Sequence, residues 1–183
     1  MLQLTFAIKL WTHIKSKAIR KDSFDTEIDF VGIKLFPKDT LHTQDDFVNA
    51  AQNNYVINFG FTTLVLDEAM TDAGVEGNLP VSSPNRDLRA LVRMMRCTFA
   101  HNMVLPQWKV RPPFDRVLKI KLPSREILLD MKDLDGEVFL DEQIGGMSAY
   151  FEIVEEVKRL VSIRQGGIPV PKVPPVNDPS EAV

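Results

Sequence analysis

Four arginines and one histidine carry the chemical interest of this sequence. On a helical wheel at about 100° per residue, Arg86, Arg89, Arg93 and Arg96 fall within about 80° of one another. Side chains so placed repel each other unless something anionic sits among them, or unless they form a solvated face. His101 follows Arg96 by five residues, about 140° round the same helix, with Asn102 next to it. A histidine in a last turn suits the helix dipole whatever its task, and it can also act as acid or base near neutral pH. The other two histidines, His13 and His42, lack companions at metal-ligand spacing, so no metal and no cofactor is expected.

The charge pattern points the same way. Residues 86–125 hold seven arginines and three lysines against Asp87 and Asp115, a net +8, leaving -11 elsewhere in a chain whose total is -3. A local positive field of that kind raises the concentration of phosphates and other anions around it, even on a chain that is acidic as a whole. The alternative is that the basic stretch pairs with acidic surface of the same fold.

The elements that must position these residues are mainly helical. Apolar residues at Phe6, Leu10, Ile14 and Ala18 predict a first helix over residues 2–20. Residues 23–33 alternate loosely, and Phe36-Pro37 ends that segment. Asp45 and Asp46 open a long helix reaching about residue 73, closed by Gly74 and Gly77. The arginine helix spans residues 85–101, with Ser82 or Ser83 as cap and a core stripe of Leu88, Leu91, Val92, Met95 and Phe99. Ala90, Cys97 and Ala100 form a strip of small side chains that suits close contact with another helix, of this chain or of a two-fold related copy. Residues 117–122 and 126–131 read as a β-hairpin across Pro123-Ser124, and residues 141–164 as a last helix, with Gly145-Gly146 kept for close packing.

Length and composition set the frame. A chain of 183 residues, 44% hydrophobic and 26% charged, predicts one domain over residues 1–165, followed by an extended tail at 166–183 that holds five of the twelve prolines. The single cysteine excludes an internal disulfide framework, so the cytoplasm is the expected compartment. The uncharged run at residues 47–66 carries Asn49, Gln52, Asn53, Asn54 and Asn58, too many amides for a lipid-facing span, so no membrane association is expected. Residues 1–21 have five basic residues and no acid, but Lys9 interrupts the apolar stretch as in any amphipathic helix, not as in a targeting peptide.

The stretch Arg96-Cys97-Thr98-Phe99-Ala100-His101-Asn102 resembles the signature of the HEPN superfamily, an arginine, four to six residues and a histidine near the end of a core helix. With the tryptophan, hairpin and "IGG" helix start that follow, the likeness covers residues of about 45–164 and looks like that of bacterial stand-alone HEPN proteins. The resemblance implies an antiparallel helical bundle with a small β-hairpin insertion before the last helix, acting as a metal-independent homodimer that cleaves RNA by attack of its own 2′-hydroxyl. In that reading the two copies of His101 share the roles of base and acid. Arg96 from each chain stabilises the charge developing on phosphorus, and Asn102 orients the phosphate or the imidazole. Arg86, Arg89 and Arg93 bind RNA phosphates. Cys97 stands where many nuclease members carry Asn, Asp or His, and Met103 stands where the adenylylated variant has its tyrosine. The alternative function is a non-catalytic RNA- or protein-interaction module, partnered with an antitoxin or another defence-system protein.

Overall fold

Each helix begins and ends where local chemistry dictates. The computed structural model describes residues 1–25, 28–30, 33–35, 37–75, 83, 85–164 and 166. Helix α1 runs Leu2–Lys15, shorter than its periodicity predicts, because Lys17 turns into the left-handed region at φ 60° and the chain reverses. Its buried face also differs from the expected one. Leu4, Ala7 and Ile14 are buried, with Ile8 and Trp11 packed partly behind them, whereas Phe6 is 66% exposed.

A short antiparallel hairpin, β1 Ile28–Phe30 and β2 Ile33–Leu35, pairs Asp29 with Lys34 and precedes the longest helix. Helix α2, Gln44–Asp72, starts with a capping box in which the Thr43 hydroxyl accepts from the Asp46 N–H and the Asp46 carboxylate accepts from the Thr43 N–H. Those hydrogen bonds, together with that from the His42 N–H, hold the Asp46 carboxyl below its ordinary range. Gly74, at φ 70°, lets the Val75 N–H return to the Met70 carbonyl and close the helix; Gly77 lies outside the described residues.

Helix α3, Arg86–His101, packs against α2 and the second hairpin. Asn85 holds its N-cap position without a side-chain cap, so Ser83 does not play the expected role, and Ser82 lies outside the described residues. On its way out, the chain turns on Asn102, whose Oδ1 accepts from the N–H groups of Val104 and Leu105 at 3.0 and 2.9 Å. The predicted hairpin follows as β3 Val117–Lys121 and β4 Glu126–Asp130. Its register sets Leu118 against Leu129 and Ile120 against Ile127, all four buried. Asp87 on α3 ties this hairpin down, its carboxylate accepting from Arg116 at 2.6 Å and from the Lys119 N–H at 2.8 Å.

The last helix also departs from its expected span. A single 3₁₀ turn, Asp141–Ile144, comes first; Gly145 and Gly146, at φ 93° and 80°, then break the pattern, and α4 runs Gly146–Arg164. Both glycines take up positive φ, and Gly145 is also closely packed as predicted, since an added Cβ would stand 3.0 Å from that of Ala149, whereas Gly146 has nothing within 4 Å. Of the proline-rich tail expected over residues 166–183, all but Gly166 lies outside the described residues.

Together these elements make a mainly helical protein with a small β-hairpin before the last helix. One buried cluster draws on all four helices and the second hairpin. Phe59 of α2 sits at its middle, with ring centroids 5.4 Å from Phe99, 5.1 Å from Phe139 and 4.1 Å from Tyr150. Trp108, fully buried, donates its indole N–H to Gln143 at 2.9 Å and holds the segment between α3 and β3 against the turn that leads into α4. Among the described residues, no helix is long and apolar enough to cross a membrane.

Candidate functional site

The arginine row meets a carboxylate that sequence reasoning missed. Asp67, near the end of α2, is 5% exposed and faces α3. Its Oδ1 lies 2.5 Å from Nη1 of Arg89, and its Oδ2 lies 3.1 Å from Arg93 and 3.8 Å from Nε of Arg96. Three guanidinium groups converge on one acid, which leaves two positive charges uncompensated among the described residues.

The three arginines are not equivalent. Arg89 is 3% exposed and has a partner on each of its three nitrogens, donating from Nη1 to Asp67, from Nε to the Val75 carbonyl at 2.8 Å and from Nη2 to the Thr71 hydroxyl at 3.1 Å. It belongs to the interior, where burying a guanidinium requires a partner for every donor. The side chains of Arg93 and Arg96 keep 42% and 40% of their surface. Arg86 is half-buried and makes no ion pair among the described residues.

Burial along α3 resolves the angular separation of Arg96 and His101. The N-terminal half of the helix is covered almost all round, with Leu88, Arg89, Ala90, Leu91 and Val92 buried. The C-terminal half is open on one side, where Arg93, Arg96 and Cys97 are half-buried and Ala100 and His101 exposed. On a regular helix these five residues occupy one sector of about 140°, with Arg96 at one edge and His101 at the other. Between them the surface is made of Arg93, Ala100 and Cys97, so the floor near the C-terminal end is low.

Asn102 is exposed beside His101, but its Oδ1 is engaged in the turn, so only its Nδ2 group is left to face a ligand. Ala90, the third member of the small-residue strip, is buried. A tight contact between α2 and the end of α3 falls elsewhere, at Gly60, where an added Cβ would stand 2.5 Å from the Phe99 ring and 2.9 Å from the Met103 sulfur. Cys97 is a free thiol. No group of three His, Cys, Asp or Glu residues that could hold a metal ion occurs among the described residues.

What this arrangement can do is hold an anion. Arg93 and Arg96 supply fixed positive charge at a half-exposed surface, Asp67 sets their geometry from below, and a titratable imidazole lies across a low floor. Comparison with known proteins finds no matching family model, no matching curated protein and no matching solved structure.

Proposed function

We propose that this protein is a metal-independent endoribonuclease of the HEPN type that works as a homodimer, its site composed of Arg96, His101 and Asn102 from each copy. The observation that carries the reading is the open sector of α3, where Arg96 and His101 flank Cys97 and Ala100. A floor of small side chains lets a second copy of the helix approach, bringing two imidazoles to one phosphate. One His101 takes the proton of the 2′-hydroxyl as its oxygen attacks phosphorus. The other gives a proton to the departing 5′-oxygen. Arg96 and Arg93 stabilise the charge on the phosphorane, and the Asn102 Nδ2 group donates to a non-bridging oxygen. The products are a 2′,3′-cyclic phosphate and a 5′-hydroxyl end.

A second reading, the non-catalytic module that binds RNA or an acidic protein, is favoured by one contact. Arg96 leans toward Asp67, and an arginine shared with an internal carboxylate offers less charge to a transition state than a free one. Incubation with single-stranded RNA in EDTA separates the two. Cleavage leaving cyclic phosphate ends, abolished by His101→Ala and sharply reduced by Arg96→Ala, supports the nuclease. RNA retention without cleavage, dependent on Arg93 and Arg96, hands the site to the binding module. Cleavage by His101→Ala at the full rate would overturn the catalytic assignment.

A further inference from the structure

A second site lies beyond the end of α3, lined by none of the four arginines. A cleft of about 360 Å³ opens between α1, α2, the turn after His101 and the segment entering α4. That volume suits a small-molecule site, which typically measures about 300–1,000 Å³. Its walls are aromatic: Trp11 and Tyr55 stack with planes 2° and centroids 5.3 Å apart, and Phe59 lines it beside them.

The polar groups on this lining fall into two kinds. Asp141 and Glu142, consecutive carboxylates, are acceptors. Asp141 accepts a long contact of 3.4 Å from the Tyr55 hydroxyl and backbone hydrogen bonds that include one from Met147, and its carboxylate keeps lone pairs for further donors. The indole Nε1 of Trp11 is a buried donor with no acceptor among the described residues, and Gln52 adds an exposed amide. Lys15 stands at the rim, its ammonium 4.9 Å from the Trp11 ring centroid. A ligand that answers the exposed groups among these is flat, presents adjacent N–H donors to the carboxylates and an acceptor to the Gln52 amide, and carries negative charge toward Lys15.

We propose that this cleft binds a guanine base, with the ring against the Trp11 and Tyr55 side of the cleft, its N1–H and N2–H donors on Asp141 and Glu142, and its O6 accepting from the Gln52 amide. Adenine and cytosine turn a ring-nitrogen acceptor toward the carboxylates, and uracil offers one donor instead of two. Burial and the neighbouring Glu142 hold the Asp141 carboxyl above its ordinary range, a cost that two N–H donors would relieve. The proposal does not depend on the ribonuclease reading, because binding of the base requires neither His101 nor a dimer.

Isothermal titration of the full chain with guanosine, inosine, adenosine and cytidine 5′-monophosphates tests it. Guanosine monophosphate is expected to bind at least about tenfold more tightly than the other three, inosine failing for want of the N2 amino group. Asp141→Asn should weaken it by about tenfold or more. Leu105→Trp, at a wall position 53% exposed where folding is not at stake, should block the cleft. Equal affinity for all four nucleotides, no heat with any of them, or unchanged binding in both variants overturns the proposal. A second arm identifies the source of the base. If it comes from RNA, an oligoribonucleotide with a single guanine binds more tightly than the mononucleotide and loses that advantage in Arg93→Ala/Arg96→Ala. If the ligand is the free nucleotide, the oligonucleotide gains nothing and the arginine variants change nothing. Failure of RNA cleavage would leave these titrations unaffected.

Discussion

Asp67 and Arg89 form an ion pair in the interior, Oδ1 to Nη1 at 2.5 Å, with 8% and 3% of their side chains exposed. Helix α2 and helix α3 are thus joined by a charge contact as well as by their apolar faces. Removing Asp67 leaves a guanidinium buried with one partner missing, and breaking a buried pair in this way costs about 3–5 kcal/mol. Asp67→Ala should lower the urea midpoint accordingly. Arg96→Ala, which breaks a contact of 3.8 Å at a side chain 40% exposed, should cost less than about 1 kcal/mol. Equal losses in the two variants would show that Asp67 is not the internal anchor of the row.

Gly60 sits inside α2 under the Phe99 ring, and two effects of Gly60→Ala oppose each other. The alanine gains about 1 kcal/mol of helix propensity. Against this, its Cβ would stand 2.5 Å from Cδ1 of Phe99 and 2.9 Å from the Met103 sulfur, and overpacking of that kind costs about 1–3 kcal/mol. Phe99 also packs against Phe59 and Phe139 and has little room to move. Net destabilisation is expected in thermal unfolding, partly relieved by Phe99→Leu. A variant as stable as the parent would mean that the two helices can separate at no cost.

The unequal burial of the arginines makes a prediction about salt. Arg93 and Arg96 can reach a phosphate without unfolding anything, whereas Arg89 cannot. Arg93→Ala/Arg96→Ala should weaken binding of single-stranded RNA and flatten the plot of log K against log salt, by about 0.7 for each phosphate left without its arginine. Circular dichroism should be unchanged. An unaltered slope would place bound RNA elsewhere on the chain.

Much of the helical frame was legible in the sequence, since amphipathic periods, caps and glycines act locally. Asp45 and Asp46 mark the start of α2, and alternation across Pro123-Ser124 marks the β3–β4 hairpin. The long-range contacts were not. A helical wheel treats Arg89 and Arg96 as near neighbours, about 20° apart. Their fates differ because Asp67, on another helix, lies beside the first and at the edge of the second. One signal for Asp67 was present. It is the first charged residue after the uncharged run and falls at helical spacing from the buried Phe59, Thr63 and Met70, where a lone acid needs a cation. The cleft had no comparable signal, because Trp11, Tyr55, Leu105 and Asp141 come from four separate parts of the chain.

Asp141 should make stability depend on pH in the direction opposite to most carboxylates. Burial first, and the charge of Glu142 second, raise its folded-state pKa above the ordinary value of 3.8. Between that value and the raised one, the folded chain holds a proton that the unfolded chain has released, so stability falls as pH rises through this window. Asp46 and Glu152 are lowered by hydrogen bonds, chiefly from Thr43 and from Ser124, and their contribution is present at higher pH and lost as pH falls through their folded values. The wild-type profile therefore mixes both signs, and a difference between variants isolates one of them. Asp141→Asn keeps an oxygen to accept from Tyr55 and removes the charge. Its Tm should match that of the wild type at about pH 3, where the native carboxyl is already protonated, and exceed it at about pH 7. A variant less stable than the wild type at the higher pH would mean that the Tyr55 and backbone donors, or a cation, fully compensate Asp141 in the free protein. The carboxylate would then not be waiting for a ligand's N–H groups, and the case for a base in the cleft would weaken with it.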